Sequence, residues 1–377
     1  MKKLSLYCLT AAAFILLSQG INASAQTPKI KVAFFAGHGG AETCVMETEA
    51  ALKMDSTLDV HKVFSKEIAA GILDQVDVLV FPGGGGSTEY LNLGGTNAEI
   101  VKEFVRKGGG VVGICAGAYL LSDTPDYACL RLSSAEAYDI EHDHRGRGIS
   151  KVTLTDEGKK LFPEAADQDT LFIMYYEGPV IRPIPALDRT PYETLAVMES
   201  DVAVEEGVPS GMTNGKPFLY TNTYGEGKVV AVIGHPEATP GMQWMLPRLV
   251  HHASGRDVTH GVPKKFVRPD FFNREILMDK ARRDYEEKAY DTYLYGSGEE
   301  VIETLDSLMV LNSWSNKRWI QGLLYHSSPA VRKAAISHIG DAFFKMYEAD
   351  LITLRKTDLP DDVRNALEEA ISKLSCK

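Results

Sequence analysis

Cysteine is scarce in this sequence, and its spacing follows no metal or redox pattern. The chain of 377 residues contains five cysteines, and no two of them form a CxxC pair. Zinc fingers and thioredoxin-type motifs need such pairs, and a chain of this length does not read as a small disulfide-rich domain. His142-Asp143-His144 has metal-binding side chains but no further ligand set, so we interpret it as a solvated loop. We expect neither a metal nor a cofactor.

The chain also lacks a basic stripe and, beyond its N-terminus, a long apolar run. Its formal net charge is −11, and the acidic residues are scattered rather than grouped. A chain with this charge is poorly suited to bind the phosphate backbone of DNA or RNA, so we expect no nucleic-acid partner. No later segment offers the ~20 apolar residues of a membrane-spanning helix. We expect no stable membrane insertion of the mature chain.

The N-terminus has the composition of a secretory signal peptide. Lys2 and Lys3 precede an apolar run over residues 4–17, and Ala23-Ser24-Ala25 offers the small-x-small pattern of a cleavage site. The sequence predicts a signal peptide over residues 1–25, with a membrane anchor as the alternative. Cleavage removes two lysines and no acids, which takes the formal charge from −11 to −13. We expect the protein to be exported, either periplasmic or extracellular.

Short apolar runs alternate with helix-like segments over residues 28–256. Ile30–Phe35, Val76–Phe81 and Gly110–Ile114 are near-continuous apolar runs of strand length. Strands of this kind are buried on both faces, as in parallel sheets covered by helices. Shorter strands between about residues 128 and 223 read as mixed or antiparallel additions. The pattern predicts an α/β domain with a parallel sheet and helices on both faces.

The composition changes near Gly261, and residues 262–377 read as a helical domain. Two segments within it are alike, Ser328–Ala335 and Leu359–Ala366, and their Val-Arg pairs are 32 residues apart. This pattern is similar to HEAT repeats, and a plain helical bundle is an equal alternative. These helices are where we expect a protein partner to bind.

The segment Gly113-Ile114-Cys115-Ala116-Gly117 joins a buried strand to a helix-like run. Glycines on both sides permit the tight, strained turn that presents a nucleophile. The turn would place Cys115 at a helix N-terminus, whose free N–H groups favour the thiolate. A buried structural cysteine is the alternative.

A glycine-rich turn, Pro82–Gly86, follows another buried strand. The carboxyl ends of parallel strands meet at one edge of a sheet, where ligands bind. Backbone N–H groups there could stabilise an oxyanion, one from Gly84 or Gly85 and the second from Ala116. A flexible turn without function is the alternative.

A third segment, Gly234-His235-Pro236-Glu237, follows the strand-like run Val229–Ile233. His235 could take the proton of a thiol and return it to a leaving group. Glu237 could orient the imidazole and stabilise its charged form. A single histidine after a strand is usually structural. A His-Pro-Glu segment in a chain that also has the cysteine turn is a more specific signal for a catalytic histidine.

These segments together resemble the class I glutamine amidotransferase superfamily and, within it, the N-terminal domain of biotin-protein ligases. The similar motifs are Pro82-Gly83-Gly84, Gly113–Leu120, Arg147-Gly148, Val152–Gly158, Tyr175–Pro179 and His235-Pro236-Glu237. The resemblance implies a flavodoxin-like open sheet and a triad of nucleophile Cys115, base His235 and orienting Glu237. It also places residues 175–177 near the pocket, with a core-facing strand as the alternative.

The chain departs from the family pattern in two respects. Members that hydrolyse glutamine typically have a polar residue such as glutamine soon after the nucleophile's glycine, whereas this chain has Ala118-Tyr119. The biotin-adenylating domain of the ligases is not found in the sequence. The resemblance therefore implies neither glutamine as the substrate nor ligase activity.

Three functions fit these observations. The first is an exported cysteine hydrolase that cleaves an amide or related acyl bond in a small molecule or peptide. The second is a pocket-bearing binding or scaffold protein whose helices recruit a partner, and the third is a thiol-based redox sensor. A hydrolase needs turnover that depends on an activated Cys115, whereas a scaffold needs only an ordinary or protected thiol.

Overall fold

The computed structural model of the protein describes residues 28–256 and 261–376, so the predicted signal peptide lies outside the described residues. Within them, ten strands form one mixed sheet, and β5 and β8 form a small antiparallel pair. The strands are β1 (Ile30–Phe35), β2 (Leu58–Val63), β3 (Val78–Phe81), β4 (Gly110–Ile114), β5 (Ala135–Ala137), β6 (Arg147–Leu154), β7 (Leu171–Tyr176), β8 (Ile181–Pro183), β9 (Glu193–Met198), β10 (Lys216–Tyr224), β11 (Gly227–Val232) and β12 (Ile276–Leu277).

Five neighbouring strands form the parallel half of the main sheet, in the order β2-β1-β3-β4-β11. Successive side chains of a strand point to opposite faces. In β1, Val32 and Phe34 accordingly enter one apolar core, while Ala33 and Phe35 enter another. The predicted α/β fold, an open sheet covered on both faces, is confirmed, as is a helical C-terminal region.

The other half of the sheet is antiparallel. β10 pairs with β11 and β9, and β6 pairs with β9, β7 and β12. β6 begins at Arg147, earlier than the run from Lys151 that the sequence suggests, because it pairs with β7 as far as Tyr176. These are the mixed additions expected between residues 128 and 223.

The α-helices that the sequence predicts differ from the pattern mainly at their ends, whereas the short helices Ser65–Ala69, Gly86–Leu93, Asp156–Leu161 and Glu348–Leu354 are not predicted by it. The α-helices are α1 (Glu42–Leu52), α2 (Ser65–Ala69), α3 (Gly86–Leu93), α4 (Gly95–Arg106), α5 (Ala116–Leu121), α6 (Asp156–Leu161), α7 (Met245–Ser254), α8 (Lys280–Tyr295), α9 (Gly298–Val310), α10 (Trp314–Leu323), α11 (Pro329–Asp341), α12 (Glu348–Leu354) and α13 (Asp361–Leu374). α8 begins at Lys280 instead of Asp270 because the Asp279 side chain caps it, accepting from the Arg282 N–H at 3.0 Å.

The C-terminal helices have an apolar core of their own and also contact the main sheet. α11 and α13, which carry the two similar sequence segments, pack against each other. Met46 of α1 packs against the helical core, and β12 adds an edge strand to β6. The division into domains 28–256 and 262–377 stays a prediction. No helix of the described residues is long and apolar enough to cross a membrane.

Candidate active site

Cys115 occupies the sharp turn between β4 and α5. Its φ is 51°, in the left-handed region that residues with a side chain rarely adopt. Its N–H donates to the Val232 carbonyl at 2.8 Å. A Cβ on Gly113 would lie 2.4 Å from the Gly117 oxygen, and one on Gly117 would lie 2.5 Å from the Phe81 oxygen. The turn therefore requires both glycines of the motif.

The thiol of Cys115 lines a pocket with a volume of about 410 Å³. Cys115 is only 7% exposed, and its Sγ donates to the Tyr176 carbonyl at 3.2 Å. The pocket combines aromatic rings, carboxylates and imidazoles. Its lining side chains include Ala41, Cys44, Tyr119, Tyr127, Asp143, His144, Tyr176, Glu177, His235 and Trp314, and the backbone of residues 84–87 completes it.

His235 lines the same pocket, and hydrogen bonds to its backbone N–H and to its carbonyl fix its position. Its N–H donates to the Met174 carbonyl at 2.7 Å, and its own carbonyl accepts from Thr239 Oγ1 at 2.6 Å. Its Nδ1 lies 2.7 Å from Glu237 Oε1, and both side chains are buried. Because Glu237 occupies Nδ1, the nitrogen left for Cys115 is Nε2.

The charges around His235 favour its imidazolium form. Burial opposes a charge on the ring, but the neighbouring Cys115 and Glu237, through their charges and hydrogen bonds, raise the pKa of His235 to about 10. The imidazolium is therefore favoured when Cys115 is a thiolate, because the two opposite charges pair. The geometry brings together all three residues of the triad implied by the resemblance.

The backbone N–H groups proposed to bind an oxyanion differ in whether they already donate a hydrogen bond within the protein. The Gly85 N–H donates to the Gly39 carbonyl at 2.8 Å, so it is already engaged. In the part of the chain that the structure describes, no protein acceptor contacts the N–H of Gly84 or Ala116. Of the two alternatives Gly84 and Gly85, the geometry favours Gly84, together with Ala116.

Cys44 is a second cysteine in the pocket, and it was not among the predicted site residues. Burial raises the pKa of the Cys44 thiol well above its ordinary value, and the negative charges of Glu47 and Glu237 raise it further. Cys44 therefore stays protonated at neutral pH, because a thiolate there would be both desolvated and repelled. It is a poor competitor for the role of nucleophile.

Residues 175–177 divide between the core and the pocket. Tyr175 is fully buried, and its hydroxyl donates to the Gly178 carbonyl at 2.8 Å. Tyr176 and Glu177 line the pocket, and Glu177 Oε2 lies 3.1 Å from His144 Nδ1. His142 instead lies against Asp139, at 2.8 Å. Among the described residues, no group of three or more metal-ligating side chains is placed to hold an ion.

Trp314, like Cys44, is a pocket residue that sequence reasoning missed. It begins α10, far along the chain from the other pocket residues, yet its ring centroid lies 5.0 Å from that of His235 and 5.5 Å from that of Tyr176. No local motif marks it, because its position depends on how the C-terminal helices pack on the sheet. The C-terminal helices therefore supply one wall of the pocket.

Residues 30–136 match the family model described as biotin-protein ligase, N terminal. The resemblance predicted from the sequence is confirmed. The match includes Gly84 and Cys115 but ends before His235 and Glu237, and it spans less than a third of the chain. His235 and Glu237 therefore lie outside the matched segment.

Solved structures with related folds share little sequence with this chain. A ThuA-like protein from Parabacteroides merdae is 15% identical, with 64% of this chain and 95% of that chain covered and a TM-score of 0.44. The glutaminase domain of Trypanosoma brucei CTPS, with bound acivicin, is 13% identical, with 61% and 96% covered and a TM-score of 0.39. Comparison with curated protein sequences gives no match.

Proposed function

We propose that this protein is an exported cysteine hydrolase that cleaves an amide or related acyl bond. The observation that carries the proposal is one pocket lined by both a strained Cys115 and His235, whose Nδ1 is held by the buried Glu237. A pocket of about 410 Å³ fits a small molecule or one side chain of a peptide. The export component rests on the signal-like residues 1–25.

The proposed reaction has two steps, each with a defined proton path. The Cys115 thiolate attacks the carbonyl carbon, and the oxyanion that forms is held by the N–H groups of Gly84 and Ala116. The carbon–nitrogen bond then breaks, and the His235 imidazolium gives its proton to the leaving amine. This leaves a thioester on Cys115 and a neutral imidazole.

Hydrolysis of the thioester restores the enzyme. His235 takes a proton from water, and the resulting hydroxide attacks the acyl carbon. The carbon–sulfur bond breaks, the carboxylic acid leaves, and the thiolate–imidazolium pair forms again. Glu237 holds Nδ1 throughout, as the third member of a triad does.

A binding protein is the second candidate, and one contact favours it. The Cys115 thiol donates to the Tyr176 carbonyl at 3.2 Å, which is the arrangement of a neutral thiol and not of a thiolate. In a hydrolase this contact must break when the proton passes to His235. In a binding protein the contact would persist and keep the thiol protected.

A covalent acyl-enzyme distinguishes the two candidates. The mature chain would be incubated with a panel of small esters, thioesters, amides and peptides, and its intact mass followed over time. We expect at least one substrate to add its acyl mass to Cys115, located by peptide mapping, and to be released as the acid. Binding without any adduct or turnover across the panel would favour the scaffold protein.

A further inference from the structure

Lys317 of α10 is a buried charged residue next to the triad. It is 1% exposed, and its Nζ donates to Glu47 Oε1 at 3.1 Å and to the carbonyl of Ala238. Ala238 directly follows Glu237 in the chain. A lysine from the C-terminal helices thus contacts the segment that carries the triad carboxylate.

The surroundings of Lys317 fix its position closely. The ammonium lies 5.2 Å from the ring centroid of Trp314 and 5.5 Å from that of Phe344. The Tyr347 hydroxyl donates to the Lys317 backbone carbonyl at 2.5 Å. A buried ammonium is costly unless it is paired, and the two rings together with Glu47 and the Ala238 carbonyl supply the compensation. The lysine is therefore built into the site and is not an incidental surface charge.

One face of α10 contacts both ends of the segment from His235 to Ala238. Trp314 packs against the His235 ring, and Lys317, three residues later on the same face, holds the Ala238 carbonyl. The Ala238 N–H in turn donates to the His235 carbonyl at 3.2 Å. A displacement of Lys317 would therefore be transmitted to the base through this short backbone segment.

The lysine also offsets a concentration of negative charge. Burial raises the pKa of Glu47, and the Lys317 charge works in the opposite direction. Glu47 Oε2 and Glu237 Oε2 are both buried without a hydrogen-bond partner among the described residues, and the two carboxylates repel each other. The other titratable groups that face this cluster are Cys44, Glu89, Cys115, His235 and Tyr347.

We propose that Lys317 is a positioning residue of the hydrolase, which pairs with Glu47, holds the Ala238 carbonyl and so keeps Glu237 and His235 aligned on Cys115. This inference rests on the proposed function. It gives the C-terminal helices a direct part in the chemistry, in addition to any partner that they bind.

The test measures the rate of Cys115 alkylation by iodoacetamide against pH in the mature chain. In Lys317→Met the carboxylate of Glu47 loses its partner, so we expect the acid limb of the profile to move up by roughly one pH unit, which lowers the rate on that limb about tenfold. In Glu47→Gln the lysine keeps its positive charge and the negative charge is lost, so the acid limb should move to lower pH. Lys317→Arg should restore most of the wild-type profile.

The double variant Lys317→Met/Glu47→Gln is the matched control for folding, because it removes both charges and leaves none unpaired. Its acid limb should return close to that of the wild type. The inference would be overturned if Lys317→Met and Glu47→Gln shifted the acid limb in the same direction. It would also be overturned if neither variant shifted it. A wild-type Cys115 that does not react at all would instead refute the proposed function, so the two failures are distinguishable.

Discussion

Replacement of Cys115 by alanine is expected to reduce hydrolysis of any accepted substrate by at least about 10³-fold, because the bond-forming atom is removed. The fold should be unaffected: the alanine keeps the Cβ of residue 115, and the turn is set by Gly113 and Gly117. The measurement is the steady-state rate on the panel substrate that acylates the wild type. Circular dichroism and thermal melting would show that the variant is folded.

Cys129→Ala is the matched control for this experiment. Cys129 is also buried, but its Sγ contacts the Thr124 carbonyl at 3.7 Å and it does not line the pocket. We expect this variant to keep its activity. Hydrolysis that survives in Cys115→Ala, or that is lost equally in both variants, would exclude Cys115 as the nucleophile.

Removal of the C-terminal helices is expected to have an equally large effect, this time on stability. A fragment ending at residue 256 loses Lys317, the ion-pair partner of Glu47, and uncovers the surface on which the C-terminal helices pack. It also exposes Met46, which packs on the helical core, and uncovers His235, which Trp314 contacts. We expect the fragment to aggregate or to melt at a much lower temperature.

Size-exclusion chromatography and thermal melting of residues 26–256 against residues 26–377 would measure this effect. The longer chain is the control, since it differs only by the helices. A monodisperse fragment that melts cooperatively and still reacts at Cys115 at the wild-type rate would contradict the expectation. It would support two independent domains, as the change in composition near Gly261 suggests.

The parallel strands and the cysteine turn could be predicted because their causes are local. A strand buried on both faces must be apolar throughout, as in Val78–Phe81, and a turn in which backbones approach closely must contain glycine, as at Gly113 and Gly117. Helix α3 could not be predicted, because its first residue, Gly86, belongs to the run Gly83–Gly86, which has the composition of a loop.

The contribution of α10 could not be predicted, because it depends on tertiary packing. Trp314, Lys317, Ile320 and Leu324 recur at helical spacing, and Lys317 stands within this otherwise apolar face. A lysine in such a row is a signal for a buried ion pair, but the sequence does not reveal its partner. Glu47 lies on α1, 270 residues away.

The reactivity of the four cysteines in the mature chain tests the central claim most directly. Solvent exposure alone predicts that Cys376, which is exposed, reacts faster than Cys115, which is 7% exposed. Activation by His235 predicts the reverse order. The measurement is the iodoacetamide alkylation rate of each cysteine at pH 7, obtained by peptide mass mapping, in the wild type and in His235→Gln.

The proposed triad predicts that Cys115 is labelled about tenfold or more faster than Cys376, and that His235→Gln removes this advantage. Cys44, whose pKa is raised by burial, and Cys129 should label slowly in both proteins. Labelling of Cys376 first, with a slow Cys115 whose rate does not change in His235→Gln, would contradict the assignment of Cys115 and His235 as nucleophile and base.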